Sequence, residues 1–271
     1  MPLFLQKKMK DKKIVIIGHG VVGKGMEKLF KKFNPVIYDI AYQPDKSLVQ
    51  GADLAIICVP TNMKEDGSCD TSNVEEVVSW IDSKLILIKS TVPPLTTDTL
   101  ATRYNKNICF SPEYMGESSY FTPPWKYPDP TDASSHTFVI VGGEQYIASQ
   151  IMDYFMQVMS VDSHFVLCSS KEAELCKYAE NSFFATKVTF CNEFYDIAQA
   201  FGIDYKKLRE LWLLDPRINP MHTVVFPEKR GFSGKCFPKD VNAIVKASEG
   251  AGYEPTLLKS VLSTNNKIRN V

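Results

Sequence analysis

The sequence has no excess of charge of either sign, which limits the partners that it can bind. Its 271 residues include 31 Lys and Arg and 31 Asp and Glu, so the formal net charge is zero. Bulk nucleic-acid binding needs a basic surface, and we therefore expect no nucleic-acid partner. The longest apolar runs have the length of one β-strand, far below the roughly 20 residues that span a bilayer. We expect no membrane segment and, because the first residues lack an apolar core with a cleavage site, no signal peptide.

Paired metal ligands are also missing from the sequence. The four histidines and seven cysteines are scattered, without the spacing of a zinc site or a disulfide framework, and we predict no metal site. Reduced thiols in a cytoplasmic location fit this pattern best. Cys69 lies in a polar stretch with no evident partner. Five cysteines fall on predicted strands or on a long predicted helix, where we expect small buried residues: Cys58, Cys109, Cys168, Cys176 and Cys191.

A glycine-rich turn lies near the start of the chain, between a strand-like run and an amphipathic helical segment. The run KIVIIG leads into GHGVVG, residues 18–23, and KGMEKLFKKF follows. In this context Gly18 makes the tight turn, Gly20 lets backbone approach a pyrophosphate, and Gly23 lets helix and strand pack closely. The phosphates are expected on the free N–H groups at the helix start, which include those of Val21 and Val22.

Asp39 ends a second strand-like run, PVIYD, 21 residues after Gly18. A carboxylate at this place accepts hydrogen bonds from a ribose diol and repels a 2′-phosphate. The next three residues, Ile40, Ala41 and Tyr42, supply no arginine that could bind such a phosphate. We therefore predict NAD rather than NADP as the cofactor.

Strand-like and helical segments alternate as far as residue 168. This alternation predicts an α/β fold with a Rossmann-type doubly wound parallel sheet, and we assign residues 1–168 to an NAD-binding domain. Ligands in such sheets bind beyond the carboxyl ends of the strands. Thr61, Thr91 and Glu113 follow three predicted strands, and we expect them to line one crevice with the glycine turn. Residues 114–136, rich in proline and aromatic residues, form either a surface excursion or a lid.

A change of character at residue 169 predicts an all-helical dimerisation domain over residues 169–271. Ser169 and Glu172 form a capping-box pattern, and the helical run after them stops at Gly202. A helix of this length spans roughly 48 Å, which is typical of helices that connect domains or build a dimer interface. Lys177 and Asn181 are four residues apart on it and share one face, which is either a solvated face or part of a site.

The stretch GFSGKCFPKD, residues 231–240, combines a nucleophile, a cation and a carboxylate with a permissive backbone. Gly231 and Gly234 let the backbone come close to a ligand, so both are substrate-binding candidates. Lys239 and Asp240 follow Cys236 closely and suit control of the thiol's ionisation and transfer of protons. We therefore expect a catalytic site organised around Cys236.

Seven sequence blocks together resemble the nucleotide-sugar 6-dehydrogenases, in the order and spacing of that family. The blocks are GHGVVG, DLAIICVPTN with EDGSCD, KSTVPP, SPEYMGE, AELCKYAENSFFATKVTFCNE, DPRINP and GFSGKCFPKD. The resemblance runs nearly end to end. It implies oxidation of the primary hydroxyl of a nucleotide-linked hexose, most simply UDP-glucose, to a carboxylate by two NAD molecules and one cysteine.

The resemblance also implies roles for the catalytic residues. Cys236 matches the nucleophile that forms a thiohemiacetal and then a thioester. Lys177 and Asn181 match the pair that polarises the reacting oxygen and binds substrate. Asp240 matches the carboxylate beside the cysteine.

Further matches concern the cofactor, the substrate and a second subunit. Thr91, Glu113 and Glu117 match residues around the water, the substrate and the nicotinamide. Thr61 and Lys239 are expected on the cofactor side. Arg217 matches an arginine that reaches a neighbouring subunit's site, which implies a homodimer built on the helix at 170–201.

Three features depart from the family pattern. Ser233 stands where the family has glycine, and PEKR precedes the cysteine loop where PGxG is usual. Much of the segment that follows the Asp39 strand is missing, and so is the expected C-terminal nucleotide-binding domain. Two other hypotheses therefore stay open. One is a small hydroxy-acid dehydrogenase of the 6-phosphogluconate or 3-hydroxyisobutyrate type, and the other is a non-catalytic NAD-binding subunit.

Overall fold

The computed structural model describes residues 12–42, 45–116 and 132–270. The chain divides into two compact units. The first, which we call the sheet unit, comprises Met1–Asn62 and Asp70–Lys177. The second, which we call the helical unit, comprises Met63–Cys69 and Tyr178–Val271. The domain boundary predicted at residue 168 stays a prediction.

The described residues of the sheet unit form one sheet with the strand order β2-β1-β3-β4-β5-β6-β7. The strands are β1 (Ile14–Ile17), β2 (Val36–Tyr38), β3 (Ala52–Ile57), β4 (Ser83–Ile88), β5 (Ile108–Phe110), β6 (Phe138–Gly142) and β7 (His164–Cys168). Strand β1 lies between β2 and β3, so the order reverses there. In open α/β sheets, ligands bind at the carboxyl ends of the strands beside such a reversal.

Strand direction brings one correction to the predicted fold. Strands β1 to β5 are parallel, which confirms the Rossmann-type doubly wound sheet. Strand β6 pairs antiparallel with β5, and β7 is parallel to β6, so these two strands run against the other five. A parallel partner requires a crossover, usually a helix. The described part of the connection from β5 to β6 contains only the 3-10 turn Ala133–Ser135.

In the part of the sheet unit that the structure describes, four helices cover the two faces of the sheet: α1 (Val21–Leu29), α2 (Ser72–Trp80), α3 (Thr96–Tyr104) and α4 (Gln145–Phe155). Side chains alternate along a strand, so Ile14 and Ile16 join α1 and α4 in one apolar cluster. Val15 and Ile17 join α2 and α3 in another. Each fully buried isoleucine contributes about 1.5–3 kcal/mol. The cores on both faces fix the carboxyl ends of the strands, where the glycine turn begins.

Helix α5 (Ser170–Ala200) runs from the end of the sheet unit into the helical unit. Its start has the predicted capping box, since the N–H and hydroxyl of Ser169 donate to Glu172 Oε2 at 2.8 and 2.7 Å. Beyond its end Gly202 adopts a φ of +68°, and the Ile203 N–H reaches the Ala198 carbonyl at 2.8 Å. Glycine favours this left-handed helix stop.

Three more helices are described in the helical unit: α6 (Tyr205–Trp212), α7 (Phe237–Gly250) and α8 (Thr256–Arg269). Tyr178 of α5 packs against Ala243 and Ile244 of α7. Ala185, two helical turns after Tyr178 on α5, packs against Val261 of α8. Within the described ranges, none of the helices combines the length and the apolar character needed to cross a bilayer.

Two cysteines differ from expectation. Cys69 is buried against Tyr178 and Ile244, because Met63–Cys69 closes on itself through an antiparallel bridge and packs on the helical unit. Cys176, expected in the core, is exposed. The polar sequence around Cys69 concealed a contact with residues more than 100 positions away, which local pattern does not encode.

Candidate active site

The glycine turn lies at the carboxyl end of β1. Gly18 has a φ of +88°, and a Cβ there would lie 2.7 Å from the Cys58 carbonyl oxygen. A Cβ on Gly23 would lie 2.0 Å from the Gly18 carbonyl oxygen. No side chain fits at such distances, so the two glycines let the turn pack against β3 and the start of α1.

Gly20 leaves open the space in front of α1. A Cβ at Gly20 would meet no atom within 4 Å, and no side chain caps the helix. The Lys24 N–H bonds the Gly20 carbonyl at 3.0 Å, so the N–H groups of Val21, Val22 and Gly23 precede the first bond within the helix. A pyrophosphate fits here, because free N–H groups and the helix dipole both favour an anion.

Asp39 follows β2 and lies against the glycine turn. Its Oδ2 accepts the His19 N–H at 2.8 Å, and its Oδ1 accepts the Ala41 N–H at 2.9 Å. Each carboxylate oxygen has a second lone pair for a ligand hydroxyl. Asp39 therefore suits the predicted contact with a ribose diol.

The loops after β3 and β4 are joined by hydroxyl groups. The Thr61 hydroxyl donates to the Thr91 carbonyl at 2.8 Å, and the Ser90 hydroxyl donates to the Val59 carbonyl at 2.6 Å. Thr61 is buried, which fixes this link. Since Gly18 packs on Cys58 at the end of β3, the structure brings Thr61, Thr91 and the turn to one edge of the sheet.

Glu113 forms a buried ion pair that the sequence analysis missed. Its Oε2 lies 3.2 Å from Nζ of Lys89, and the two side chains are 8% and 5% exposed. Oε1 accepts the N–H groups of Tyr114 and Met115, both at 2.8 Å. Lys89 also donates to the Pro112 carbonyl at 2.8 Å. The carboxylate is thus fixed in position by one cation and two amides.

This environment keeps Glu113 ionised. Burial raises the pKa of the carboxyl group, but the Lys89 ammonium and the two backbone N–H groups outweigh burial, and the pKa lies below its ordinary value. At neutral pH Glu113 is therefore a hydrogen-bond acceptor rather than a proton donor.

Lys177 lies in the sheet unit beside Tyr114, the residue that follows Glu113. It is buried, and its Nζ lies 5.0 Å from the centre of the Tyr114 ring. Tyr114, Glu113 and Lys89 also line a cavity of about 30 Å³, which has room for one water molecule. His136 lines the same cavity, and burial lowers its pKa. The cavity is therefore lined by a neutral imidazole, His136, and by an ionised carboxylate, Glu113.

The cysteine loop ends at the start of α7. Cys236 is exposed and immediately precedes the helix, whose free N–H groups favour an anion such as a thiolate. Gly231 and Gly234 have φ values of +69° and +86°, as a turn of this kind requires. Asn265 of α8 accepts the Phe232 N–H at 2.7 Å and donates to the Phe232 carbonyl at 3.1 Å. Asn265, missed by the sequence analysis, therefore holds the loop.

Three predicted residues meet beside Cys236. Asp240 is 2% exposed, and its Oδ2 accepts Asn181 Nδ2 at 2.6 Å. Its Oδ1 accepts Lys239 Nζ at 2.5 Å. The Asp240 N–H donates to the Cys236 carbonyl at 2.8 Å, so the carboxylate lies one helical turn after the thiol. The cofactor contact expected of Lys239 stays a prediction.

Arg217 pairs with a residue that is its near neighbour in sequence. Arg217 has an 88% exposed side chain and binds Asp215, with Nη2 2.6 Å from Oδ2. Its side-chain hydrogen bond lowers the pKa of Asp215. Glu117 lies outside the described residues. In the described ranges, no three His, Cys, Asp or Glu side chains group as metal ligands.

Comparison with known proteins places these features in a family. The profile of the UDP-glucose/GDP-mannose dehydrogenase family, NAD binding domain, matches residues 26–123, and that of the family's central domain matches residues 171–267. The chain belongs to the UDP-glucose/GDP-mannose dehydrogenase family. The cofactor of its NAD-binding domain is NAD, which fits the open space at Gly20 and the carboxylate of Asp39.

Individual members of the UDP-glucose/GDP-mannose dehydrogenase family are distant in sequence. UDP-glucose 6-dehydrogenase TuaD of Bacillus subtilis is 28% identical over 236 residues, which are 82% of this chain and 48% of that protein. The structure of a UDP-glucose dehydrogenase from Pyrobaculum islandicum has a TM-score of 0.77 at 26% identity and covers 94% of this chain and 68% of that chain. Mycobacterium tuberculosis 3-hydroxyisobutyrate dehydrogenase, at 15% identity and a TM-score of 0.68, shares the fold and covers 94% and 93%. The chain spans about half the length of the curated relatives it matches.

Proposed function

We propose that the chain oxidises the 6-hydroxyl of a nucleotide sugar, in the first instance UDP-glucose to UDP-glucuronate, in two NAD-dependent steps. One observation carries the proposal: Cys236 stands exposed at the start of α7, one turn before a buried Asp240 that Asn181 holds. A small hydroxy-acid dehydrogenase needs no such thiol. The names of relatives with 28% to 31% identity support the substrate class.

In the first step, the substrate's 6-hydroxyl loses its proton to Lys177, which is buried beside the Tyr114 ring. NAD, when bound, accepts a hydride in each of the two oxidation steps. The aldehyde carbon then forms a bond to the Cys236 sulfur, and the former carbonyl oxygen becomes anionic. Lys177 and Asn181 stabilise this oxyanion, with about 3 to 4 kcal/mol from each donor in comparable sites.

In the second step, the anionic thiohemiacetal loses a hydride and becomes a thioester on Cys236. Water adds to its carbon, the carbon–sulfur bond breaks, and the carboxylate and the thiol are released. Asp240 and Glu113 are the acceptors proposed to orient this water with Thr91. The ionised state of Glu113 suits this role. The sum is one alcohol, one water and two NAD⁺ converted to one carboxylic acid, two NADH and two protons.

We also propose a homodimer in which α5 forms the interface. Phe183, Phe190 and Ile197 recur every seven residues along α5 and are 61%, 46% and 41% exposed. Such spacing aligns them in one stripe of the kind that packs against another helix. In this proposal, exposed Arg217 reaches the partner's substrate. The seven cysteines, all thiols in the structure, agree with the proposed cytoplasmic location.

The decisive experiment counts NADH per molecule of acid. The purified chain is incubated with NAD and a panel of sugar nucleotides, and we expect two NADH for each uronate. Cys236→Ala should abolish acid formation, while Cys168→Ala, a half-buried cysteine on β7, should retain it. One NADH per turnover would favour a hydroxy-acid dehydrogenase. NAD binding without turnover of any sugar nucleotide would favour a non-catalytic subunit, and unchanged acid formation by Cys236→Ala would contradict the thiol mechanism.

A further inference from the structure

His19, inside the glycine turn, links two carboxylates at the ribose end of the NAD site. Its backbone N–H donates to Asp39 Oδ2 at 2.8 Å. Its ring Nε2 lies 2.7 Å from Oε2 of Glu27, on α1. One residue therefore connects the carboxylate that ends β2 with a second carboxylate from the helix. The glycine fingerprint assigns a role only to Asp39.

Tyr42 completes the group through a contact with the His19 ring. The Tyr42 hydroxyl hydrogen-bonds His19 Nδ1, and the two rings meet edge to face with centroids 5.7 Å apart. A hydroxyl that donates to Nδ1 leaves the ring proton on Nε2, which donates to Glu27. Glu27 is then the acceptor of this hydrogen bond.

The negative charges of both carboxylates act on the Tyr42 hydroxyl. The pKa of Tyr42 is raised by desolvation and then by the negative charges of Asp39 and Glu27. Among the described residues, no Lys or Arg forms an ion pair with either carboxylate. Lys28, one residue after Glu27, pairs instead with Asp132 at 2.5 Å. Within the described ranges, the negative charges at this end of the site are therefore not neutralised by a direct ion pair with Lys or Arg.

We propose that Glu27 is a second determinant of cofactor choice, which acts with Asp39 to exclude dinucleotides that carry a 2′-phosphate. A 2′-phosphate replaces the ribose hydroxyl that Asp39 binds, and it brings up to two negative charges to that place. Two carboxylates repel it more than one does, whereas uncharged ribose is indifferent to the second. Glu27 thereby separates NAD from NADP without a contact to NAD.

Direct binding of NADH and NADPH to the full chain, measured by calorimetry, tests this role without any sugar substrate. We expect Glu27→Gln to leave NADH affinity unchanged and to tighten NADPH binding about fivefold. The same tightening of NADPH binding should be measured when Glu27→Gln is added to Asp39→Asn. Glutamine keeps an oxygen that can accept a hydrogen bond from the His19 ring Nε2, so the turn is preserved. The gain should shrink as NaCl rises from about 0.05 to 0.5 M, because salt screens charge.

Glu76→Gln, on α2 with a 66% exposed side chain, is the matched control and should change neither affinity. If Glu27→Gln weakens both dinucleotides equally, Glu27 only supports the turn and the proposal fails. An effect that vanishes in the Asp39→Asn background would also refute it, since Glu27 would then act only by positioning Asp39. If the unaltered chain does not bind NADH, both this inference and the assignment of NAD as the cofactor are wrong.

Discussion

Replacement of Lys89 by methionine tests how the Glu113 carboxylate is held inside the sheet unit. The two groups are 3.2 Å apart and almost fully buried. At an effective dielectric constant of about 20, their attraction is roughly 5 kcal/mol. Loss of one partner of a buried pair typically costs about 3–5 kcal/mol, because the other charge stays buried. We expect Lys89→Met to lower the free energy of unfolding by this amount at pH 7.

The pH dependence distinguishes a charge effect from lost packing. In the parent protein the pKa of Glu113 lies below its ordinary value of 4.5, so its contribution to stability persists above that pH and is lost as pH falls through the lowered pKa. In Lys89→Met, the ammonium group is lost and only the two backbone N–H groups oppose burial, so the pKa of Glu113 rises relative to the parent. Acidification then protonates Glu113 in the variant and removes its buried charge. The difference in unfolding free energy between parent and variant should therefore become smaller from pH 7 to pH 5.

Urea unfolding at several pH values provides the assay. Lys84→Met, which removes a 73% exposed lysine from β4, the strand that Lys89 follows, is the matched control and should cost less than about 1 kcal/mol. Lys89→Met/Glu113→Gln should recover part of the loss, since no charge stays buried. A gap that is constant between pH 7 and 5, or a double variant no more stable than Lys89→Met, would refute the reasoning.

Two further predictions concern α5. Burial raises the pKa of Glu174 to about 7, so this carboxyl favours folding below pH 4.5 and loses that contribution as pH rises through 7. The free energy of unfolding of Glu174→Gln, relative to the parent, should therefore rise by up to about 3 kcal/mol between pH 4.5 and 8 in urea unfolding. A stability difference that does not change with pH would contradict this. Phe183→Glu should convert a dimer to a monomer in sedimentation experiments, whereas Leu257→Glu on α8, 65% exposed, should not; equal masses for the two variants would argue against the α5 interface.

Features encoded by local sequence were predictable. Gly18 and Gly23 are fixed by their own turn, and their contacts of 2.7 and 2.0 Å give the reason that glycine stands there. The capping box at Ser169 and the stop at Gly202 likewise depend on residues within a few positions. The approach of Thr61 to Thr91 followed from the parallel sheet, because neighbouring strands end at one edge.

Features that depend on distant contacts were not predictable. Lys89 follows the apolar run LILI, and its partner Glu113 follows the neighbouring strand β5, 24 positions later. A charged residue directly after a buried strand was the available signal. Asn265 gives no signal at all, because an asparagine within a helix is ordinary until Phe232 is seen to bind it. The direction of β6 depends on a long connection that sequence periodicity does not constrain.

The contact between Gly231 and Asn265 has an evolutionary consequence. A Cβ at position 231 would lie 2.5 Å from Asn265 Oδ1, and the φ of +69° strains any other residue there. A smaller residue at 265 would make room but would give up both hydrogen bonds to Phe232. Each substitution alone is harmful, so lineages can leave this pair only by passing through a weakened intermediate. The two positions, 34 apart in sequence, should therefore co-vary among related sequences.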